Sequence, residues 1–340
     1  MRAYGRRHRG LLPARGVGIA LATGLAGLVS RPGDAWLFLL HGGVGVTLVG
    51  FLGVKLWRVR ARVRAGVRAR SGRVAVSILL TLLAVAALAT GIAWVFGASL
   101  PGAFTLMFVH AVLGVATTVV LVGHLRDRLR IPSRASLRDR RQTLSWVGMV
   151  TLGAAAYRAT DVLGTARRYT GSRERGSDSG NDFPVTAWVA DDPDPLDPEA
   201  WTLSVTGAVE TEREFERGDL AFDTQQRALL DCTSGWYSEH DWRGLSVGEL
   251  LDTAGPTDGA SWVQFRSVTG YRWSLPLDEA RDALLATHVD GEPLRHGHGR
   301  PMRLVAPGRR GFQWVKWVTE VRVWRRRDYS EWVAIQVSGL

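Results

Sequence analysis

Apolar residues run in long unbroken blocks through the first half of the chain and in short, interrupted runs through the second. Between Asp34 and Lys55 lie 20 uncharged residues, and between Arg73 and Arg126 a further 52, broken near the middle by the turn-like GASLPG at 97–102. A hydrocarbon core roughly 30 Å thick takes about 20 apolar residues per helix. The pattern predicts membrane spans near 35–55, 74–96 and 103–125, with shorter ones at 16–30 and about 143–161, an all-α transmembrane bundle over 1–164. A soluble helical core accounts for short apolar runs, but not for 52 residues without a charge.

Residues 165–182, TARRYTGSRERGSDSGND, are rich in Gly, Ser and charge and read as a flexible tether. From Phe183 onward, short β-branched or alternating runs appear (WTLSVTGAV, WVQFRSV, MRLVAP, EVRVW, EWVAIQV), bounded by Gly, Pro and Asp. Helical patches are expected at 247–255, ended by glycine, and at 277–288. The 183–340 region is therefore an α+β domain with mostly antiparallel strands.

Charge sharpens this division. The 340 residues carry a formal net charge of +11, which would suggest a nucleic-acid partner if it were evenly spread. Residues 1–143 hold 21 Lys+Arg against 3 Asp+Glu, whereas 144–340 hold 22 against 29. The Arg-rich stretches at 2–15, 58–73 and 126–141 alternate with short, nearly neutral loops. The positive-inside rule then places them and the N terminus in the cytoplasm, and everything after the fifth span on the outer face of the cytoplasmic membrane. The expected partner of the basic half is the lipid bilayer, with no nucleic acid.

Histidine inside a span is a functional signal by default. His41 lies on the second span, and His110 and His124 on the fourth. His41 and His110 fall at similar depths on helices running the same way, so their imidazoles can face each other as the ligands of a b-type haem. The alternative is that each bonds a neighbouring helix. Fourteen residues separate His110 from His124, about 21 Å along nearly the same face, which makes His124 a candidate for a second haem. The corresponding residue after His41 is Lys55, which can ligate or snorkel to the headgroups.

Asp139-Arg140-Arg141-Gln142-Thr143-Leu144, followed by the modestly apolar SWVGMVTLGAAAY, resembles the twin-arginine export signal, here placed internally. That resemblance implies export of a folded, cofactor-loaded domain; the alternative is ordinary loop charge.

The single cysteine, Cys232, excludes an internal disulfide and any CxxC site. It lies in LLDCTSGWY at 229–237, followed by Trp242-Arg243-Gly244-Leu245 and a helix. Further on come Asp290-Gly291-Glu292-Pro293-Leu294, then HGRPMRLVAPG at 298–308, Gly311 and Val315-Lys316-Trp317. In order and separation these motifs resemble the molybdopterin-binding domain of the sulfite oxidase superfamily, which includes periplasmic methionine-sulfoxide reductases. The resemblance covers nearly all of 183–340, with FPVTAW and DPEAWTLSVTG fitting the family's opening segment.

The resemblance implies a molybdopterin cofactor, with Cys232 as the thiolate ligand of molybdenum and catalytic centre, and His298 as a pterin contact. A thiolate is the soft donor such a metal favours. Arg309, Arg310 and Lys316 flank Gly311 in a loop suited to a terminal phosphate. Alternatively, Cys232 is a buried structural residue, and Arg309 and Arg310 belong to a solvated turn. His240 is expected at the surface or a pocket rim, and Arg243, Arg266 and Arg272 are candidates for lining an anion pocket. After the cysteine the family's sulfite oxidases carry an arginine-bearing segment where this chain has Gly235-Trp236-Tyr237, which argues against sulfite; their dimerisation domain is not expected after Leu340.

The resulting expectation is a membrane-bound, molybdopterin-dependent oxidoreductase. It performs two-electron oxo-transfer on a small sulfur- or oxide-containing substrate, and exchanges electrons through b-type haem with a quinone or another carrier. Alternatives are a methionine-sulfoxide reductase-like repair enzyme of envelope proteins, and a membrane-anchored binding or sensing module without an activity.

Overall fold

Helices form where the apolar runs predict them. The computed structural model describes residues 11–69, 72–100, 105–126, 140–188 and 190–339. The first basic stretch up to Gly10, most of the third, and Asp139 of the twin-arginine motif lie outside the described residues. The chain divides into two compact units, Met1–Gly171 and Ser172–Leu340.

The first unit holds α1 (Leu11–Leu28), α2 (Ala35–Arg68), α3 (Gly72–Val95), α4 (Leu106–Leu125) and α5 (Arg140–Leu163). Segments Pro32–Ala61, Val74–Val95 and Leu106–Leu125 are long and apolar enough to cross a membrane; Gly16–Leu28 is a shorter apolar helix. The helix α2 runs on past its apolar part into the Arg-rich 58–68. The α1 helix packs on α2, α3 on α4, and α5 on α2. Small residues set the α2–α5 crossing, where a Cβ on Gly43 would lie 2.9 Å from the backbone nitrogen of Ala154. Thr47 ties the two helices by donating to Gly43 O (2.8 Å) and Met149 O (3.1 Å).

The two hairpins α1–α2 and α3–α4 repeat one another. Ala-Leu-Ala-Thr-Gly occupies 20–24 in the first and 87–91 in the second, each followed on the next helix by its histidine, His41 or His110. The duplication is short and embedded in generally apolar sequence, so hydropathy alone does not reveal it.

In the second unit, one sheet has the order β1 (Arg173–Glu174), β5 (Trp236–Ser246), β8 (Leu284–Val289), β10 (Arg303–Val305), with β4 (Thr224–Asp231) also on β5 and β9 (Glu292–Pro293) on β8. The other runs β3 (Arg213–Glu216), β2 (Thr202–Gly207), β11 (Val318–Trp324), β6 (Trp262–Ser267), β7 (Arg272–Pro276). Strand β5 alternates cleanly: Trp236, Ser238, His240 and Trp242 are buried, while Glu239 and Asp241 are not. Helix α6 (Val247–Ala254) starts on Ser246, whose hydroxyl accepts from Glu249 N, and stops at Gly255, as expected.

Three expectations are corrected. The 277–288 patch is helical only as α7 (Leu277–Arg281); Leu284–Val289, apolar and β-branched, pairs with β5 and β10 instead. EWVAIQV is helix α8 (Glu331–Val337): Glu331, Ala334 and Ile335 are buried, a helical spacing that the alternation of the run conceals. The second half of the 165–182 tract is ordered. Arg173 N donates to Gly235 O and Arg175 N to Tyr237 O, and Asn181 bonds Glu292 and Pro293. Its glycines and serines serve turns and caps in the folded domain rather than flexibility.

Candidate functional site

Cys232 ends β4 and enters a tight turn. Gly235 N donates to Cys232 O (3.1 Å) and Cys232 N to Trp236 O (2.8 Å), with Gly235 at φ 99°, a conformation that glycine adopts without strain. The thiol is 7% exposed, with Sγ 3.1 Å from Ser234 Oγ. Loop 306–316 braces this turn. Asp231 bridges to Arg310, and a Cβ on Gly311 would lie 3.0 Å from Cys232 Cα.

The cations of that loop divide into two kinds. Arg309 makes a bidentate ion pair with Glu279 of α7, and Arg310 pairs with Asp231 at 3.1 Å while reaching Cys232 O. Their charge is therefore compensated internally, and Arg310 orients the cysteine turn; the phosphate-binding role expected of both is not what these contacts favour. Lys316 differs. Its Nζ donates to the carbonyls of Thr186 (2.9 Å) and Gly297 (2.6 Å), which leaves one of its three N–H groups. Burial, reinforced by the charge of Arg303, pushes its amine down to about 7.

Arg303 is the residue that sequence reasoning passed over. It lies on β10, 2% exposed, its guanidinium near the rings of Trp242 (5.3 Å) and Trp314 (5.8 Å). Nη1 donates to His298 O, Nε has no partner, and no carboxylate faces it among the described ion pairs. Burial pulls its pKa down to about 10, and the negative charge of a Cys232 thiolate would oppose that. An arginine between Met302 and Leu304-Val305 in a buried strand was the signal available in the sequence.

His298 is buried and donates from Nε2 to Asn181 O (3.0 Å), and Phe183 stacks on it at 3.8 Å. Burial and then Arg303 push its pKa down to about 3, so the ring is neutral. His240, expected at the surface or a pocket rim, is fully buried, with its ring 4.5 Å from that of Phe183, and bonds Asp290 at 2.6 Å. Of the arginines considered for an anion pocket, Arg266 pairs with Glu320 and Arg272 with Asp328, on the other sheet, while Arg243 reaches Phe222 O. A cavity of about 370 Å³ lined by Asp178, Asp241, Asp290 and Arg243 does not include Cys232.

A buried guanidinium bound to a carbonyl is costly unless an anion joins it, and the half-buried Lys316 ammonium likewise bonds carbonyls. Beside a soft thiol donor, they fit an anionic, sulfur-rich metal cofactor.

The first unit contains a second set of donors. The rings of His41 and His110 are 6.0 Å apart between centroids and nearly perpendicular. Nδ1 of His41 lies 3.0 Å from Ala20 O and 3.2 Å from Thr23 Oγ1. Nδ1 of His110 lies 2.9 Å from Ala87 O and 3.4 Å from Thr90 Oγ1. Each ring therefore donates from Nδ1 to a carbonyl and keeps a lone pair on Nε2, the tautomer of a metal ligand. With imidazole–metal bonds of about 2 Å, one metal between two opposed rings needs a separation of this size, so the pair fits a haem iron. His124 is half-buried, and Lys55, its counterpart in the repeat, is exposed.

The fold and site define a class. Residues 190–332 match the family described as "Oxidoreductase molybdopterin binding domain". The second unit is accordingly a molybdopterin-binding oxidoreductase domain of sulfite oxidase type, and the chain carries an oxidoreductase. This match favours an enzyme over a binding or sensing module. The chain is 30% identical over 163 residues to a protein-methionine-sulfoxide reductase catalytic subunit MsrP of Xanthomonas axonopodis pv. citri, covering 41% of this chain and 49% of that protein. It is also 30% identical over 158 residues to the MsrP of Xanthomonas campestris pv. campestris, with the same coverage. The chain thus spans about half the length of the curated relatives it matches. Among solved structures, the sulfane dehydrogenase SoxCD from Paracoccus pantotrophus is 28% identical, covering 39% of this chain and 40% of that one, at a TM-score of 0.37.

Proposed function

We propose that this chain is a membrane-bound molybdopterin-dependent oxidoreductase that carries out two-electron oxo-transfer outside the cytoplasmic membrane. Electrons pass singly through a b-type haem held by His41 and His110, to or from a quinone or similar carrier. The observation that carries the enzymatic half is Arg303, a buried guanidinium with no carboxylate partner among the described residues, whose charge a Cys232 thiolate would favour.

Bound molybdopterin supplies a metal that changes oxidation state by two and so accepts or releases one oxygen atom. Cys232 Sγ would be its protein ligand, with Arg310 and Gly311 fixing the turn that aims the sulfur. Arg303 and Lys316 would hold the cofactor's negative charge, and neutral His298, locked by Asn181 and Phe183, would contact the pterin. In the reducing direction, a sulfoxide, two electrons and two protons yield a sulfide and water. Lys316 Nζ, its amine lowered to about 7 and with one N–H left by its two carbonyl partners, would be the group to deliver one of those protons.

The names of the two Xanthomonas relatives favour a specific form of this reading, reduction of methionine sulfoxide in envelope proteins. The basic loops support an inner N terminus and an outer catalytic unit, and Arg140-Arg141 at the start of α5 supports twin-arginine export. Metal and haem analysis of the purified chain tests the proposal. Molybdenum and b-type absorbance together are expected; no molybdenum would refute the enzymatic half, and no haem the relay.

A further inference from the structure

A cation in the helical unit is not consumed by its visible partners. Arg167 follows α5, and its side chain is 4% exposed. Nη2 donates to Thr160 Oγ1 and Asp161 Oδ1, both at 2.8 Å. Nη1 is buried and has no hydrogen-bond partner. Asp161 is 40% exposed and shared with Arg158 at 2.8 Å, so it compensates Arg167 only in part. A buried N–H left open in an apolar helical unit is costly. Its retention points to a missing acceptor.

Two independent paths locate that open N–H. Along the first, the guanidinium lies 5.4 Å from the ring of Tyr157, and that ring fills the space a side chain at Gly42 would need, directly beside His41. Along the second, a Cβ on Gly164 would lie 3.1 Å from Nη1 and 2.8 Å from Val95 O. Val95 is one helical turn, about 5.4 Å, beyond Gly91, whose Cβ position is 2.9 Å from His110 Cε1. Both paths end at the imidazole pair, one from each hairpin. The Arg167 guanidinium therefore lies toward the end of the bundle that holds both histidines, where α3 and α5 finish and α2 and α4 begin.

We infer that Arg167 is an anion-binding residue for a haem carboxylate. Thr160 and Asp161 hold the guanidinium from one side, and Nη1 presents its N–H to a propionate of the haem that His41 and His110 would ligate. This rests on the haem reading above and deepens it: haem b carries two carboxylates on one edge, and a planar guanidinium suits such a group. The arrangement also breaks the symmetry of the repeat, since α5 packs on the α1–α2 hairpin while the segment after it meets α3 at Trp94 and Val95. A single seating of the haem follows, carboxylate edge toward Arg167.

The test uses the full chain in detergent or nanodiscs. Apoprotein from haem-deficient cells is titrated with haem and with haem dimethyl ester, which lacks both negative charges. Wild type is expected to bind haem at least tenfold more tightly, and Arg167→Gln to lose that preference and show a lower haem midpoint potential. Arg158→Gln, which removes an exposed cation from the same Asp161, is expected to behave as wild type. Equal binding of haem and its diester by wild type overturns the inference without needing any variant, as does an unchanged preference and potential in Arg167→Gln. If wild type binds neither, the haem reading itself fails, which is a different result.

Discussion

The two donor sites of this chain are built by opposite means. In the helical unit, neutral imidazoles are held by backbone carbonyls from a repeated helix–helix hairpin, so the site offers lone pairs and little charge. Around Cys232, the groups come from a turn, a strand and a loop of distant sequence position, and they offer positive charge that, among the described residues, meets no carboxylate partner at Arg303 and bonds carbonyls at Lys316. The first arrangement suits a metal already chelated by a flat ring; the second suits a large anionic cofactor. Sequence duplication can create the first in one step, whereas the second needs long-range packing.

The sharpest way to break this comparison is to remove one site and look for damage at the other. His41→Ala or His110→Ala is expected to abolish b-type absorbance while molybdenum content stays at the wild-type level. Conversely, Cys232→Ala should lower oxo-transfer by at least about 10²-fold and leave the haem spectrum intact. Loss of both cofactors in any one variant would show that the sites depend on each other for folding.

Arg303→Met separates stability from function. Replacing a buried, uncompensated charge by an apolar side chain should stabilise the cofactor-free chain by on the order of 1–3 kcal/mol, read as a higher denaturation midpoint. The same variant should fail to retain molybdopterin. A destabilised apoprotein would mean that the contacts to His298 O, Trp242 and Trp314 outweigh the desolvation.

Much of this contrast was legible in the sequence, but unevenly. Apolar runs located the helices because membrane spanning imposes length and hydropathy together, and His41 and His110 stood out as ionisable residues in apolar blocks. Cys232 and His298 were readable through ordered motifs. For Arg309 and Arg310, a run of cations in a loop says nothing about Glu279 and Asp231, which reach them from elsewhere in the fold. EWVAIQV misled because a seven-residue run satisfies both periods, and only the burial of residues 331, 334 and 335 separates them. Arg303 and the ordered 172–182 segment depend on tertiary pairing that no local pattern carries.

A smaller effect follows from Lys316. Its amine is lowered from 10.5 to about 7 in the folded protein. Between those values the unfolded chain binds more protons, so the stability of the cofactor-free protein should rise with pH across that window. Affinity for an anionic cofactor should move the other way, falling as pH climbs through 7 and the ammonium is lost. Denaturation midpoints and cofactor retention from pH 6 to 10, in roughly unit steps, would check both slopes, and Lys316→Met should flatten them.

The smallest effect probes the repeat. A Cβ at Gly91 would press on His110 Cε1 at 2.9 Å, whereas one at Gly24 meets His41 Cε1 at an ordinary 3.4 Å. Gly91→Ala should therefore weaken haem binding several-fold and Gly24→Ala hardly at all; equal effects would mean that the two hairpins hold their histidines alike.

The central claim is that one chain couples an oxo-transfer site to a haem. It is tested most directly by reducing the purified protein anaerobically, adding methionine sulfoxide and following the haem spectrum. The haem is expected to be reoxidised in the wild type and to stay reduced in Cys232→Ala. A wild-type haem indifferent to sulfoxide, and equally indifferent to sulfite and other candidate donors in the oxidised protein, would contradict it, as would reoxidation that survives the loss of Cys232.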